Sequence, residues 1–126
     1  MVRVLVLADD LIWATRLAAH VRASGADPAA ARTSDAFRSG LPGADGAIID
    51  LTSRAYDGLA EIAVARAAGV AVLAVGQHDD HELRKRALSA GADRVLAYRK
   101  LFEDGPATIS RWLTSAPATE TTESTR

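Results

Sequence analysis

The sequence predicts an α/β protein: a doubly wound, five-stranded parallel sheet built as (βα)5. Three observations carry this. Short apolar runs without helical period, Arg3–Ala8, Ala47–Ile49 and Val70–Val75, read as strands buried on both faces. The segments between them space their apolar residues for one helical face and tend to end in glycine. The connections are short, so strand and helix must alternate, which implies right-handed crossovers and helices on both sides of the sheet.

The elements follow in order. After the first strand, Ala14, Leu17, Ala18 and Val21 give one apolar face to a helix over Leu11–Ala23, which Ser24-Gly25 closes. Trp13 falls off that stripe, and either packs over the first loop or lies exposed. A second strand at Pro28–Arg32 is weakly written, because alanine carries little β preference. Thr33 or Ser34 caps a short helix that Gly40-Leu41-Pro42-Gly43 stops. The third strand, 46–50, ends abruptly at Asp50. A polar loop, 52–57, leads to a helix over Leu59, Ile62 and Ala63 that ends at Gly69. The fourth strand, Val70–Val75, is followed by a loop and a helix from about Asp80 to Ala90, stopped by Gly91. A fifth strand is expected over Arg94–Tyr98. Gly105-Pro106 announces the last helix, with proline in its first turn and Ile109, Trp112 and Leu113 on its inner face. Residues 1–113 thus form one domain, and 114–126, TSAPATETTESTR, are expected to be a disordered tail that buries no apolar area.

Composition narrows the function classes. At 126 residues and 48% hydrophobic content the chain suits a single globular core. Fifteen Lys and Arg against 16 Asp and Glu leave a net charge of −1, which gives no electrostatic drive toward nucleic acid or membrane. The absence of cysteine excludes a disulfide framework, thiolate zinc and a cysteine nucleophile. No apolar run approaches the ~20 residues that span a bilayer, and a strand begins within two residues of the N-terminus. A cytoplasmic protein is expected.

The chemistry concentrates at strand ends. Asp9-Asp10 follow the first strand and Asp50 the third, and in open α/β sheets the crevice beyond the carboxyl ends of the strands is where ligands bind. Three carboxylates brought together there need a cation or a proton. The plainer reading makes Asp50 a turn residue and Asp9 or Asp10 a helix cap. His78 and His81 with Asp79-Asp80 between them match structural zinc spacing poorly, and a helix cap explains the acids more simply. His20 is expected on the surface. No Gly-x-Gly-x-x-Gly follows a strand, which argues against a dinucleotide or flavin binder of similar topology. Arg84-Lys85-Arg86 reads as a solvated helix face.

Asp9-Asp10, then Asp50-Leu51 with Asp57-Gly58-Leu59 seven residues on, and the run from His78-Asp79-Asp80-His81-Glu82-Leu83 to Gly91-Ala92-Asp93 resemble the receiver domain of bacterial response regulators, the CheY-like family. The resemblance spans residues 2–113. It implies a flavodoxin-like or CheY-like strand order 2-1-3-4-5 and a stand-alone signalling domain of a two-component phosphorelay, not an enzyme. On this resemblance Asp50 is the phosphoacceptor, forming an acyl phosphate. Weakly bound Mg²⁺ is held by Asp9, Asp10, Asp50 and the Thr52 carbonyl, in keeping with that ion's preference for oxygen ligands. A histidine kinase or phosphotransfer protein would act upstream and a protein partner downstream. The resemblance calls for neither nucleic acid nor membrane, and for a monomer or weak dimer.

The sequence departs from that family at three places. Val75 stands where the fourth strand should end in Thr or Ser, and lacks a donor. Tyr98 and Arg99 stand where Lys and Pro should end the fifth strand. Lys100-Leu101-Phe102 echoes Lys-Pro-Phe two residues late, and an even shift preserves facing, so a longer fifth strand would let Lys100 reach the pocket. Arg54 replaces a loop proline. These departures mark an atypical or pseudo-receiver. The alternative function is a phosphorylation-independent pseudo-receiver acting as a protein–protein interaction module.

Overall fold

Strands apolar on both faces have to lie between two helical layers, and that is the architecture. The computed structural model describes residues 1–77 and 79–115. The elements run β1 (Arg3–Leu7), α1 (Leu11–Ala23), β2 (Asp27–Ala31), α2 (Ser34–Gly40), a 3₁₀ turn (Leu41–Gly43), β3 (Gly46–Asp50), α3 (Gly58–Ala67), β4 (Ala71–Gly76), α4 (His81–Ala90), β5 (Arg94–Ala97) and α5 (Tyr98–Ser115). The five strands are all parallel in the order β2-β1-β3-β4-β5, as expected. Pro28 is tolerated because β2 is an edge strand, where a missing N–H costs no central ladder bond.

Alternation along each strand sends side chains to opposite layers. Leu5, Leu7, Ile49 and Val72 pack with Phe37 of α2, Ile62 of α3 and Ala87 of α4. Val4, Val6, Ile48, Leu73 and Val75 pack with Leu17 and Val21 of α1 and Ile109 and Trp112 of α5. Gly46 is glycine for steric reasons: a Cβ there would lie 2.8 Å from Trp112 Cη2.

One device repeats at the entry to the sheet. The tripeptide Gly-Ala-Asp occurs at 25–27, 43–45 and 91–93, each time where a strand begins. In every copy the Asp N–H donates to a carbonyl within one residue of the start of the neighbouring strand: Asp27 to Val2 at 2.8 Å, Asp45 to Arg3 at 2.8 Å, Asp93 to Val72 at 2.9 Å. The Asp45 and Asp93 carboxylates also accept from the N–H of Arg3 and Val72, at 2.8 and 2.7 Å. These pairs tie the start of one strand to the start of its neighbour and so help to fix register.

Several boundaries differ from expectation. β2 starts one residue early, and β4 runs from Ala71 to Gly76 rather than from Val70 to Val75. β5 stops at Ala97, and helix begins at once at Tyr98, not at Gly105. That helix is broken at Asp104 (φ −152°, ψ 37°), because Pro106 has no N–H to give and its ring clashes with a carbonyl one turn back. The proline therefore marks a restart rather than a start. At the break His20 is half-buried, not on the surface, and a Cβ on Gly105 would come within 2.6 Å of its Nδ1. α5 also continues through Ser115, two residues into the expected tail; the rest of that tail lies outside the described residues.

A buried ion pair ties α2 to α3. Glu61 is 2% exposed and accepts from Arg38 Nε and Nη2, both at 2.9 Å, and from the Ser34 hydroxyl at 3.0 Å. A carboxylate that deep needs this bidentate partner, and removing one side strands the other charge. Arg38→Ala is expected to lower unfolding stability measurably in denaturant titration, because it leaves the buried Glu61 carboxylate without its bidentate partner. Adding Glu61→Leu to it should recover most of that loss. A double variant no more stable than Arg38→Ala would show that the pair does not explain it.

Candidate functional site around Asp50

The sheet delivers Asp50 to the carboxyl end of its central strand, where it is 1% exposed. Buried there, the carboxylate must find donors. Its Oδ1 accepts three hydrogen bonds: from the Thr52 N–H at 3.0 Å, from the Thr52 hydroxyl at 2.8 Å and from the Tyr98 hydroxyl. Thr52 supplies two of them because the chain turns sharply after β3. The two hydroxyls also touch each other at 2.8 Å, and with two protons for three contacts the carboxylate is the acceptor that both favour. Oδ2, by contrast, is buried with no partner.

Aromatic residues wall the pocket. Tyr98 comes from the first residue of α5, and its ring stacks on Trp13 with centroids 3.9 Å apart and planes 30° apart. Trp13 is therefore partly buried against the start of α5 rather than simply exposed. Tyr56 is buried and donates toward both the Asp50 carbonyl at 2.6 Å and the Leu7 carbonyl at 3.2 Å, clamping the ends of β3 and β1. Burial, followed by the hydrogen bond to Asp50, holds the Tyr98 hydroxyl far above the ordinary tyrosine range. Burial, followed by the Asp50 charge, does the same for Tyr56.

The other sequence-derived candidates are placed as follows. Asp10 is exposed and caps α1, accepting from the Trp13 N–H at 3.0 Å. Asp9 is half-buried, and its carbonyl accepts from Arg32 at 3.1 Å. Asp57 and Asp80 cap α3 and α4. Val75 sits level with Asp50 in the sheet register and is fully buried, an apolar wall. Because β4 runs on to Gly76, the last residue of that strand has no side chain at all. Lys100 is exposed on the helix that begins at Tyr98; the longer fifth strand that would carry it inward does not form. His81 is exposed, and His78 lies outside the described residues.

A divalent cation fits this arrangement only in part. The free Oδ2 of Asp50 is an atom a hard cation would take. Yet Asp10 is engaged as a cap, and among the described residues no three His, Cys, Asp or Glu side chains are close enough to hold a metal ion. The three-carboxylate cage is not assembled here. Among the described residues no helix is long and apolar enough to cross a membrane.

A buried aspartate closes the central strand of a 2-1-3-4-5 parallel (βα)5 sheet, under donors from the turn after β3 and from the first residue after β5. Comparison with solved structures agrees. The chain superimposes on the receiver domain of a Francisella response regulator with a TM-score of 0.76 at 19% identity, covering 90% of this chain and 98% of that one. It superimposes on the beryllofluoride-activated DrrB receiver domain with a TM-score of 0.80 at 17% identity, covering 90% and 98%. A Burkholderia pseudomallei response regulator carrying a phosphorylated aspartic acid, a calcium ion and citrate gives 0.76 at 21% identity, covering 95% and 70%. No protein-family model matches the sequence, and no curated protein matches it either. The chain has the fold of response-regulator receiver domains.

Both tyrosines of the chain face this site. A tyrosine whose pKa is higher folded than unfolded adds stability below about pH 10, and that stability is lost as pH rises through the folded value. Phenolate absorbance should therefore stay flat past pH 10 and then rise together with unfolding. Tyr98→Phe should remove half the amplitude. A tyrosine ionising near pH 10 in the folded protein would mean that the pocket is open to solvent.

Proposed function

We propose that this chain is a receiver-like signalling domain, not an enzyme, which works as an atypical receiver through protein contacts and without a phosphoryl group on Asp50. One observation carries the reading: the Tyr98 hydroxyl occupies Asp50 Oδ1, together with both donors of Thr52. A phosphoryl group arriving at this carboxylate would bring further negative charge into a site walled by Val75, Tyr56 and Tyr98. Neither Val75 nor Gly76 offers a side-chain donor to its oxygens, and Lys100 is turned to solvent. Phosphoryl transfer depends on such positioned positive charge and donors. On this reading the partner is another protein, and no upstream kinase is required.

A second reading has its own observation. The unpartnered Oδ2 of Asp50 is the atom a phosphoacceptor would use. It requires Asp9 and Asp10 to turn toward Asp50 and, with Thr52, to hold Mg²⁺, and it keeps a histidine kinase or phosphotransfer protein as the upstream partner. Incubation with Mg²⁺ and acetyl phosphate, followed by intact-mass measurement, separates the two. No adduct is expected under conditions that label an ordinary receiver. An adduct that disappears in Asp50→Asn would overturn the first reading in favour of the second.

A further inference from the structure

Residues 98–103 form a helical arm bounded by two breaks: the end of β5 at Ala97 and the non-helical backbone at Asp104. Its principal contacts are these. Leu101 is fully buried beside Ile109 and Trp112 in the layer under α1 and α5. Tyr98 stacks on Trp13. The Tyr98 hydroxyl reaches Asp50 Oδ1. The chain of contacts continues outward: the Arg16 guanidinium lies 5.5 Å from the Trp13 ring and 5.2 Å from the Phe102 ring, and Phe102 is 72% exposed.

We propose that Asp50 latches this arm, so that the state of the Asp50 carboxylate is read out at the face formed by Trp13, Arg16 and Phe102. The proposal shares with the reading above the capped Asp50, and needs no phosphoryl chemistry. Its physical content is a differential contact. With Asp50 available as acceptor, the arm gains a charge-assisted hydrogen bond; with Oδ1 occupied or removed, it keeps the Leu101 anchor, the ring stack, the Arg16–Phe102 contact and the neutral Tyr98–Thr52 hydroxyl contact. A contact present in one state and absent in the other is what shifts a two-state equilibrium. The route through β4 lacks that property, since Val75 and Gly76 cannot respond to the carboxylate by hydrogen bonding. The short segment between two breaks is the element free to respond, because α5 beyond Pro106 is held by Ile109 and Trp112.

The test is a double-variant cycle read by amide hydrogen exchange, with no phosphoryl donor present. Asp50→Ala and Tyr98→Phe remove the same hydrogen bond from opposite ends, and Tyr98→Phe keeps the ring stack, so it serves even where Asp50→Ala folds poorly. Each single change should speed exchange at residues 99–103 by tenfold or more while leaving residues 107–113 within twofold. Each should also shift the Trp13 indole resonance. In the Asp50→Ala background, Tyr98→Phe should then add much less than it does alone, the remainder being its contact with the Thr52 hydroxyl. Unchanged exchange at 99–103 in Tyr98→Phe, or independent effects that multiply in the double variant, would overturn the latch. A phosphoryl adduct on Asp50 in the acetyl phosphate experiment would refute the functional reading and leave this result standing.

Discussion

A carboxylate buried at the end of the central strand is the constraint from which the upper half of this molecule follows. An acid that is 1% exposed must be given donors or be lost to desolvation. Here the donors come from the turn immediately after β3 and from the first residue after β5, so two distant loops are pulled over the same atom. Tyr98 brings a ring as well as a hydroxyl, and the ring needs an apolar surface, which Trp13 provides. The placement of α1's first turn and α5's first turn is in this sense a consequence of Asp50.

The layer architecture was legible in the residues because it rests on period. The apolar runs at 3–8, 46–50 and 70–75 and the helical stripe at Leu17 and Val21 each have one physical solution, and the sheet order came with the family resemblance. Boundaries were less legible. Pro106 announced a helix, but a proline is equally at home in the first turn after a break, and the six residues before Asp104 carry no periodic pattern that distinguishes arm from loop. The recurring Gly-Ala-Asp was present as a readable signal, although its meaning depends on backbone pairing that only the folded sheet displays.

The site was half legible. Strand-end acids placed Asp50 correctly, since its position depends only on strand length. Asp10 resolved into the plainer alternative, a cap on α1, because an N–H at the third helical position competes for the same carboxylate. Tyr98 was identified as a departure, but that its hydroxyl would serve the acid in place of a cation depends on the helix starting at that very residue. Glu61, Tyr56 and Thr52's hydroxyl were not readable as functional atoms. Each is an ordinary residue type whose role comes from a partner 6 to 27 positions away or from a two-residue turn.

The Gly-Ala-Asp pairs all lie at the amino ends of the strands, whereas Asp50, Thr52 and Tyr98 all lie at the carboxyl ends. The fold thereby separates alignment from chemistry along the strand axis. Its floor is stapled by backbone and aspartate, indifferent to what the roof contains. The roof is thus free to vary its side chains, with no strand slipping against its neighbour. A scaffold partitioned in this way lets the pocket around Asp50 be rewritten residue by residue while the sheet beneath keeps its alignment.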